Sequence, residues 1–229
     1  SYVASEVSRH QGLSGFRLLS RSTNALMSRV ALVDQARHSI DLQYYIFKND
    51  ATGRLLAQHL LDAADRGVRI RILLDDVHQT DEDVVFSALD AHPNIQVRLF
   101  NPFRTRNPSM LSKLGQFVLE GARLNRRMHN KSFIVDNAVA VIGGRNIGDD
   151  YFDAGSDTNF RDLDLVAIGP VVQEASRSFD TYWNCEVTYP VTAFRSTRNT
   201  HVDLSALRIK LARDARTFAQ SDYAQEIAD

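Results

Sequence analysis

Apolar and polar positions along this chain fall into blocks that switch between helical and strand spacing. From Asn24 to His38, the apolar residues Leu26, Met27, Val30, Leu32 and Val33 recur at helical steps, which predicts a helix. Ile40 to Phe47 reads as a strand. Gly53 to Arg66 predicts a second helix, with Gly67 where helices commonly stop. Val68 to Leu74 is a nearly continuous aliphatic strand, interrupted by Arg69 and Arg71. Asp81 to Ala91 predicts a helix whose acidic first turn suits the helix dipole, and Ile95 to Phe100 a strand. Lys131 to Val135 and Ala138 to Ile142 predict two strands joined by Asp136-Asn137, residue types that tolerate turns. Asp162 to Ile168 follows as a strand and Val171 to Trp183 as a helix. From Asp203 to Phe218, the residues Leu204, Leu207, Leu211, Ala215 and Phe218 return at helical intervals.

Strand-helix-strand repetition implies an α/β fold, with a largely parallel sheet sandwiched between helices. The hairpin adds an antiparallel element, so the sheet is expected to be mixed. Ligands of such sheets sit beyond the carboxyl ends of the strands. Asp75 and Asp76 lie at one such end and read as a hydrated or helix-capping pair.

A two-residue hairpin pairs Val135 with Ala138, Lys131 with Ile142 and His129 with Gly144. His129 and Lys131, two apart, share a strand face. Imidazole, ammonium and Gly143-Gly144-Arg145-Asn146 then converge on one spot. Glycine lets backbone amides approach a ligand, and a phosphate oxygen there could be held by Lys131 and Asn146. Histidine is nucleophilic near neutral pH, and a covalent phosphohistidine splits one hard displacement into two easier ones. Lysine supplies charge to the transition-state oxygens, so the chemistry demands neither metal nor cofactor. Each residue alone has an ordinary explanation: a structural histidine, a solvated lysine, a turn aspartate. Their combination points to phosphodiester chemistry.

The pattern His-x-Lys-x4-Asp-x6-Gly-Gly-x-Asn resembles the signature of the phospholipase D superfamily. Asp41 to Phe47, Asp65 to Asp76, Asn101-Pro102-Phe103, Leu124 to Lys131 and Phe160 to Asp164 are similar to bacterial cardiolipin synthases. The resemblance implies that His129 is the nucleophile taking a phosphatidyl group and that Lys131 and Asn146 contact phosphate. It gives Asp136 an orienting or structural role. Asp162 would hydrogen-bond the nucleophilic histidine and fix its tautomer, with Asp164 on the same strand face as the alternative. Gly143, Gly144 and Arg127 are expected as substrate-phosphate contacts. The implied reaction is cardiolipin formation from phospholipids at the bacterial inner membrane. The alternatives are a hydrolytic phospholipase D, a one-motif nuclease acting as a dimer, or an inactive lipid-binding half.

Enzymes of this kind carry two such motifs, and this chain holds one. His10, His38, His59, His78, His92 and His201 each lack a lysine two residues on. Residues 1–229 are therefore expected to form a single catalytic domain, one lobe of a two-lobed enzyme, completed by a second motif-bearing half or a homodimer partner. The helix of the tail, 203–229, would lead to that absent half or pack on a partner. Between Arg104 and Arg127, cations interleave with Met110, Leu111, Leu114, Phe117, Val118 and Leu119, so that a membrane-facing helix and an ordinary packed helix are both open readings.

Composition narrows the field further. A chain of 229 residues, 44% hydrophobic and 24% charged, can bury the core of one large domain. A net charge of −1 does not favour broad capture of nucleic acid, so the expected partners are anionic phospholipid membranes and phospholipid substrates. With Cys185 alone, no intrachain disulfide forms. No apolar run is long enough to span a bilayer.

Overall fold

The computed structural model describes residues 2–76, 83–102, 126–155, 159–194 and 203–228. Most of the region from Arg104 to Arg127, with its interleaved cations and apolar residues, lies outside the described residues, as do His78 and His201. The helices are α1 (Tyr2–Arg9), α2 (Ser22–Gln35), α3 (Ala51–Asp65), α4 (Asp83–Leu89), α5 (Pro170–Trp183), α6 (Leu204–Ala219) and α7 (Asp222–Ala228). The strands are β1 (Gly15–Leu19), β2 (Ser39–Tyr44), β3 (Arg69–Asp75), β4 (Ile95–Phe100), β5 (Ser132–Val135), β6 (Val139–Gly143), β7 (Asp164–Ile168) and β8 (Thr188–Pro190).

The strands form one sheet in the order β1-β7-β6-β5-β2-β3-β4-β8. It is mixed, as expected, but its parallel part is confined to β2, β3 and β4. The other pairings are antiparallel, so the expectation of a largely parallel sheet is corrected. The cause lies in the connections. Helical crossovers through α3 and α4 join only β2, β3 and β4, and parallel neighbours need such crossovers.

Period-two alternation divides the core. Leu42, Tyr44, Ile70, Ile72, Leu74, Val97 and Leu99 face the layer of α2, α3, α4 and α6. Leu73, Phe100, Ile134 and Ala140 face Val172, Phe179 and Trp183 of α5. Burying each large side chain stabilises the fold by about 1.5–3 kcal/mol. The interruption at Arg71 is explained on this second side. Its guanidinium makes a bidentate pair with Asp41 at 2.6 and 2.8 Å, and lies over the Phe179 ring at 4.7 Å. Gly67 stops α3 with φ +93°, as its sequence position predicts.

The tail packs on the domain itself. Leu207 and Leu211 are buried in this domain's own core, and Arg208 pairs with Asp65 of α3 at 2.5 and 2.7 Å. The apolar stripe of α6 is covered by α3 rather than left for a partner.

Candidate active site

The carboxyl ends of β2 and β3 meet the start of β5, the end of β6 and the start of β7 at one rim of the sheet. His129, Asn130 and Lys131 run into β5 at this rim. The His129 side chain is exposed, whereas Lys131 is buried. The Lys131 ammonium lies 2.9 Å from His129 Nδ1 and donates to the His129 carbonyl oxygen at 2.8 Å. Burial pulls the Lys131 pKa below its usual value, and the Asp162 carboxylate offsets part of that effect. Tyr45, just past β2, sets its ring 4.8 Å from the imidazole and 5.4 Å from the ammonium.

Asn146 is buried nearby, and its Oδ1 accepts the Ile46 amide at 3.0 Å, which leaves the side-chain NH2 as its donor. Beneath it lies a buried charged cluster. Asp164 is ion-paired with Arg29 at 3.0 Å and with Arg145 at 3.6 Å, and Arg29 Nε donates to the Tyr44 hydroxyl. Asp164 is thereby committed to two arginines, which removes it as the partner of His129.

The predicted hairpin register is off by one residue. The ladder pairs Val135 with Val139 and Ser132 with Ile142, not Val135 with Ala138. Asp136 and Asn137 take φ +51° and +53° and the turn holds one more residue, so His129 does not stand opposite Gly144. Asp136 sits at the far end of β5 from Lys131. Its carboxylate accepts the backbone amides of Arg37, His38 and Ser39 at 3.0, 2.7 and 2.9 Å. Of the two expected roles, the structural one fits this geometry.

Gly143 and Gly144 are tied into the surrounding backbone. Their amides donate to the carbonyls of Lys131 and Leu163 within the sheet. A side chain at Gly143 would strike the Leu163 carbonyl and the Asp164 backbone, and one at Gly144 would strike the Asp162 carboxylate. The glycines admit the lead-in to β7. Asp162 precedes β7 and is half-buried beside Gly144. Among the described residues no hydrogen bond joins it to His129; Lys131 occupies Nδ1 instead.

Arg127 is partly buried and pairs with Asp75 at 3.2 Å, and its Nη1 donates to the Asn101 carbonyl at 3.2 Å. Asp75 also accepts the Met128 amide at 2.9 Å. Asp75 and Asp76 are both fully buried, which overturns their reading as a hydrated pair; the residues that Asp76 could cap lie outside the described residues. Asp75 anchors the two residues that lead into His129, Arg127 through its side chain and Met128 through its amide. Sequence reasoning missed Tyr45 and the Arg29–Asp164–Arg145 cluster. The one available signal was Tyr44-Tyr45 at a strand end, where adjacent side chains point to opposite faces. Among the described residues no group of His, Cys, Asp or Glu could hold a metal ion.

Residues 30–183 match the family model described as cardiolipin synthase, phospholipase D-like domain. Cardiolipin synthase C of Escherichia coli (strain K12) is 50% identical over 184 residues, which cover 80% of this chain and 38% of that protein. A phosphatidylserine synthase structure from Haemophilus influenzae aligns with a TM-score of 0.60 at 13% identity, over 96% of this chain and 49% of that one. NucT from Helicobacter pylori aligns with a TM-score of 0.55 at 18% identity, over 78% of this chain and 98% of that one. The two structures share the fold. The chain spans about two fifths of the length of curated relatives such as cardiolipin synthase C.

Proposed function

The chain belongs to the cardiolipin synthase, phospholipase D-like domain family, and on that premise we propose that it is one catalytic lobe of a phosphatidyltransferase that makes cardiolipin. The observation that carries this reading is the exposed His129 imidazole, 2.9 Å from the ammonium of a buried lysine at the rim where β2 and β3 end.

The reaction runs in two displacements. An entering phospholipid phosphate draws the Lys131 ammonium from Nδ1 to its own oxygens. The ring proton of His129 then resides on Nδ1, with Asp162 as its proposed acceptor, and Nε2 holds the lone pair. Nε2 attacks phosphorus, the P–O bond to the headgroup breaks, and a second histidine from the partner lobe protonates the departing alcohol. That histidine next takes the proton of a phosphatidylglycerol hydroxyl. The alkoxide oxygen attacks phosphorus, the P–N bond breaks, and His129 is regenerated. Lys131 and the Asn146 NH2 hold the phosphoryl oxygens throughout.

A partner lobe is part of this proposal. Phe16, Leu18, Leu163 and Leu165 lie exposed beside the rim, an apolar strip suited to a second motif-bearing half or a second copy of the chain. The substrates require association with an anionic phospholipid membrane. No helix among the described residues is long and apolar enough to cross one.

The test uses vesicles of radiolabelled phosphatidylglycerol, with the second half supplied. Quenching in alkaline denaturant, which spares a P–N bond, traps label on the wild-type chain, and cardiolipin accumulates. His129→Gln traps none. Label on the His129→Gln chain, or phosphatidic acid as the product in the presence of excess phosphatidylglycerol, refutes the reading.

A further inference from the structure

We propose that Tyr45 is the positioning residue of the site: its ring face holds the His129 imidazole and the Lys131 ammonium in register with each other. This deepens the reading above and rests on it for the reaction, although not for the geometry.

The need for such a residue follows from the local backbone. Regular pairing of β5 begins only at Ser132, so the backbone of His129 lies outside the ladder and its side chain is exposed. Such a side chain hops between rotamers unless something holds it. Among the described residues, His129 meets two side chains through hydrogen-bonding or ring contact. They are Lys131 at 2.9 Å and Tyr45 at a ring separation of 4.8 Å, tilted by 48°. Lys131 is itself 5.4 Å above the same tyrosine ring. The three groups form a closed triangle with Tyr45 as the aromatic corner. An aromatic face is negative and attracts both an ammonium and the positive edge of an imidazole.

Tyr45 is well held to serve as that corner. The residue before it, Tyr44, points to the opposite side of the sheet, where its hydroxyl accepts from Arg29 at 3.0 Å. The residue after it, Ile46, donates its amide to Asn146 Oδ1 at 3.0 Å, and the Ile46 carbonyl accepts from the Ile147 amide at 3.1 Å. The Cα of Tyr45 is thus pinned on both flanks, by the buried charged cluster and by the motif's own asparagine. Consecutive residues link three parts of the site: Tyr44 reaches the buried charged cluster, Tyr45 the His129–Lys131 pair, and Ile46 the Asn146 side chain. Burial, reinforced by nearby Asp75, pushes the Tyr45 phenol up, so the ring stays neutral at working pH.

The experiment compares Tyr45→Phe, which keeps the face, with Tyr45→Leu, which removes it. Side-chain nitrogens of the 15N-histidine-labelled chain are read by NMR, with His129→Gln identifying the His129 signals. Wild type and Tyr45→Phe are expected to share one fixed-tautomer signature, with Nδ1 as acceptor. In Tyr45→Leu both nitrogens move to the averaged positions of a free imidazole. In transfer assays with the second half supplied, Tyr45→Leu lowers kcat about tenfold or more, with KM within about twofold of wild type. Should Tyr45→Leu lower the melting temperature, Tyr45→Met replaces it, since it fills the volume without a π face. An unchanged His129 signature in the aliphatic variant overturns the proposal, as does equal damage in Tyr45→Phe. If His129→Gln transfers as well as wild type, the functional reading fails, while the NMR comparison still decides the role of Tyr45.

Discussion

The Lys131 ammonium contacts both ends of one residue, Nδ1 of the His129 ring at 2.9 Å and its carbonyl oxygen at 2.8 Å. A lysine is an expensive group to bury for that purpose. Burial holds its pKa below the ordinary 10.5, so the folded chain binds this proton more weakly than the unfolded chain does. The penalty is complete below the folded-state value and fades as the pH climbs through it towards 10.5. Lys131→Met is therefore expected to preserve stability at pH 7 or raise it by about 1 kcal/mol, and the difference from wild type should shrink in alkaline denaturation curves. Turnover should fall by about 10²–10³ with the transition-state cation gone. Destabilisation at pH 7 together with preserved turnover would remove Lys131 from the mechanism.

The neighbouring glycines should behave differently when each is changed to alanine. At Gly143 the new Cβ meets backbone, including the Asp164 Cα at 2.6 Å, and the sheet must shift. At Gly144 it meets the Asp162 side chain, with Cγ at 2.8 Å, which can swing away. Thermal melts should show Gly143→Ala strongly destabilised and Gly144→Ala close to wild type. Gly144→Ala should nonetheless reproduce the activity of Asp162→Ala. If it retains full activity while Asp162→Ala is inactive, the proposed role of Asp162 at His129 is lost.

Asp136 supports structure from a distance. Asp136→Ala leaves the three amides at residues 37–39 without their acceptor and should lower stability by about 2 kcal/mol in urea unfolding. The folded fraction should keep a normal kcat. A large fall in kcat with unchanged stability would instead put this carboxylate in the chemistry.

The seam between α3 and α6 is acid-sensitive. The Arg208 guanidinium, helped by His92, holds the Asp65 pKa down at about 2. A depressed carboxyl pKa stabilises the folded state above the unfolded value of 3.8, and that contribution is lost as the pH falls through about 2. Asp65 is substantially exposed, so solvent screening keeps the effect below about 1 kcal/mol. Amide exchange of α6 should quicken in Asp65→Asn at pH 7 but not at pH 2. Equal exchange at pH 7 would show that Leu207 and Leu211 hold the helix unaided.

The long periodic segments were legible in the sequence because their burial follows local spacing. Ile95 to Phe100 is the observed β4, and Gly67 stops its helix as expected. Strand β1 was not legible: Phe16, Arg17 and Leu18 are all exposed at the sheet edge, so neither face stands out. His129 and Lys131 were legible as a pair. The hairpin register was not, because Asp136 adopts its turn geometry while binding amides almost a hundred positions earlier. The glycine pair looked like open backbone, since nothing in its own stretch reveals the approach of Asp162 and Asp164. Tyr45 read as one more residue of an apolar strand. Its function comes from what β5 brings beside it.

The sheet order has a consequence for synthesis on the ribosome. The hairpin bearing His129 and Lys131 pairs with β2 on one side and β7 on the other, and β7 is translated later. A nascent chain that has emerged only through β6 lacks both Asp162 and the anion that neutralises Arg29 and Arg145. The surroundings of His129 and Lys131 are thus complete only once β7 has been made.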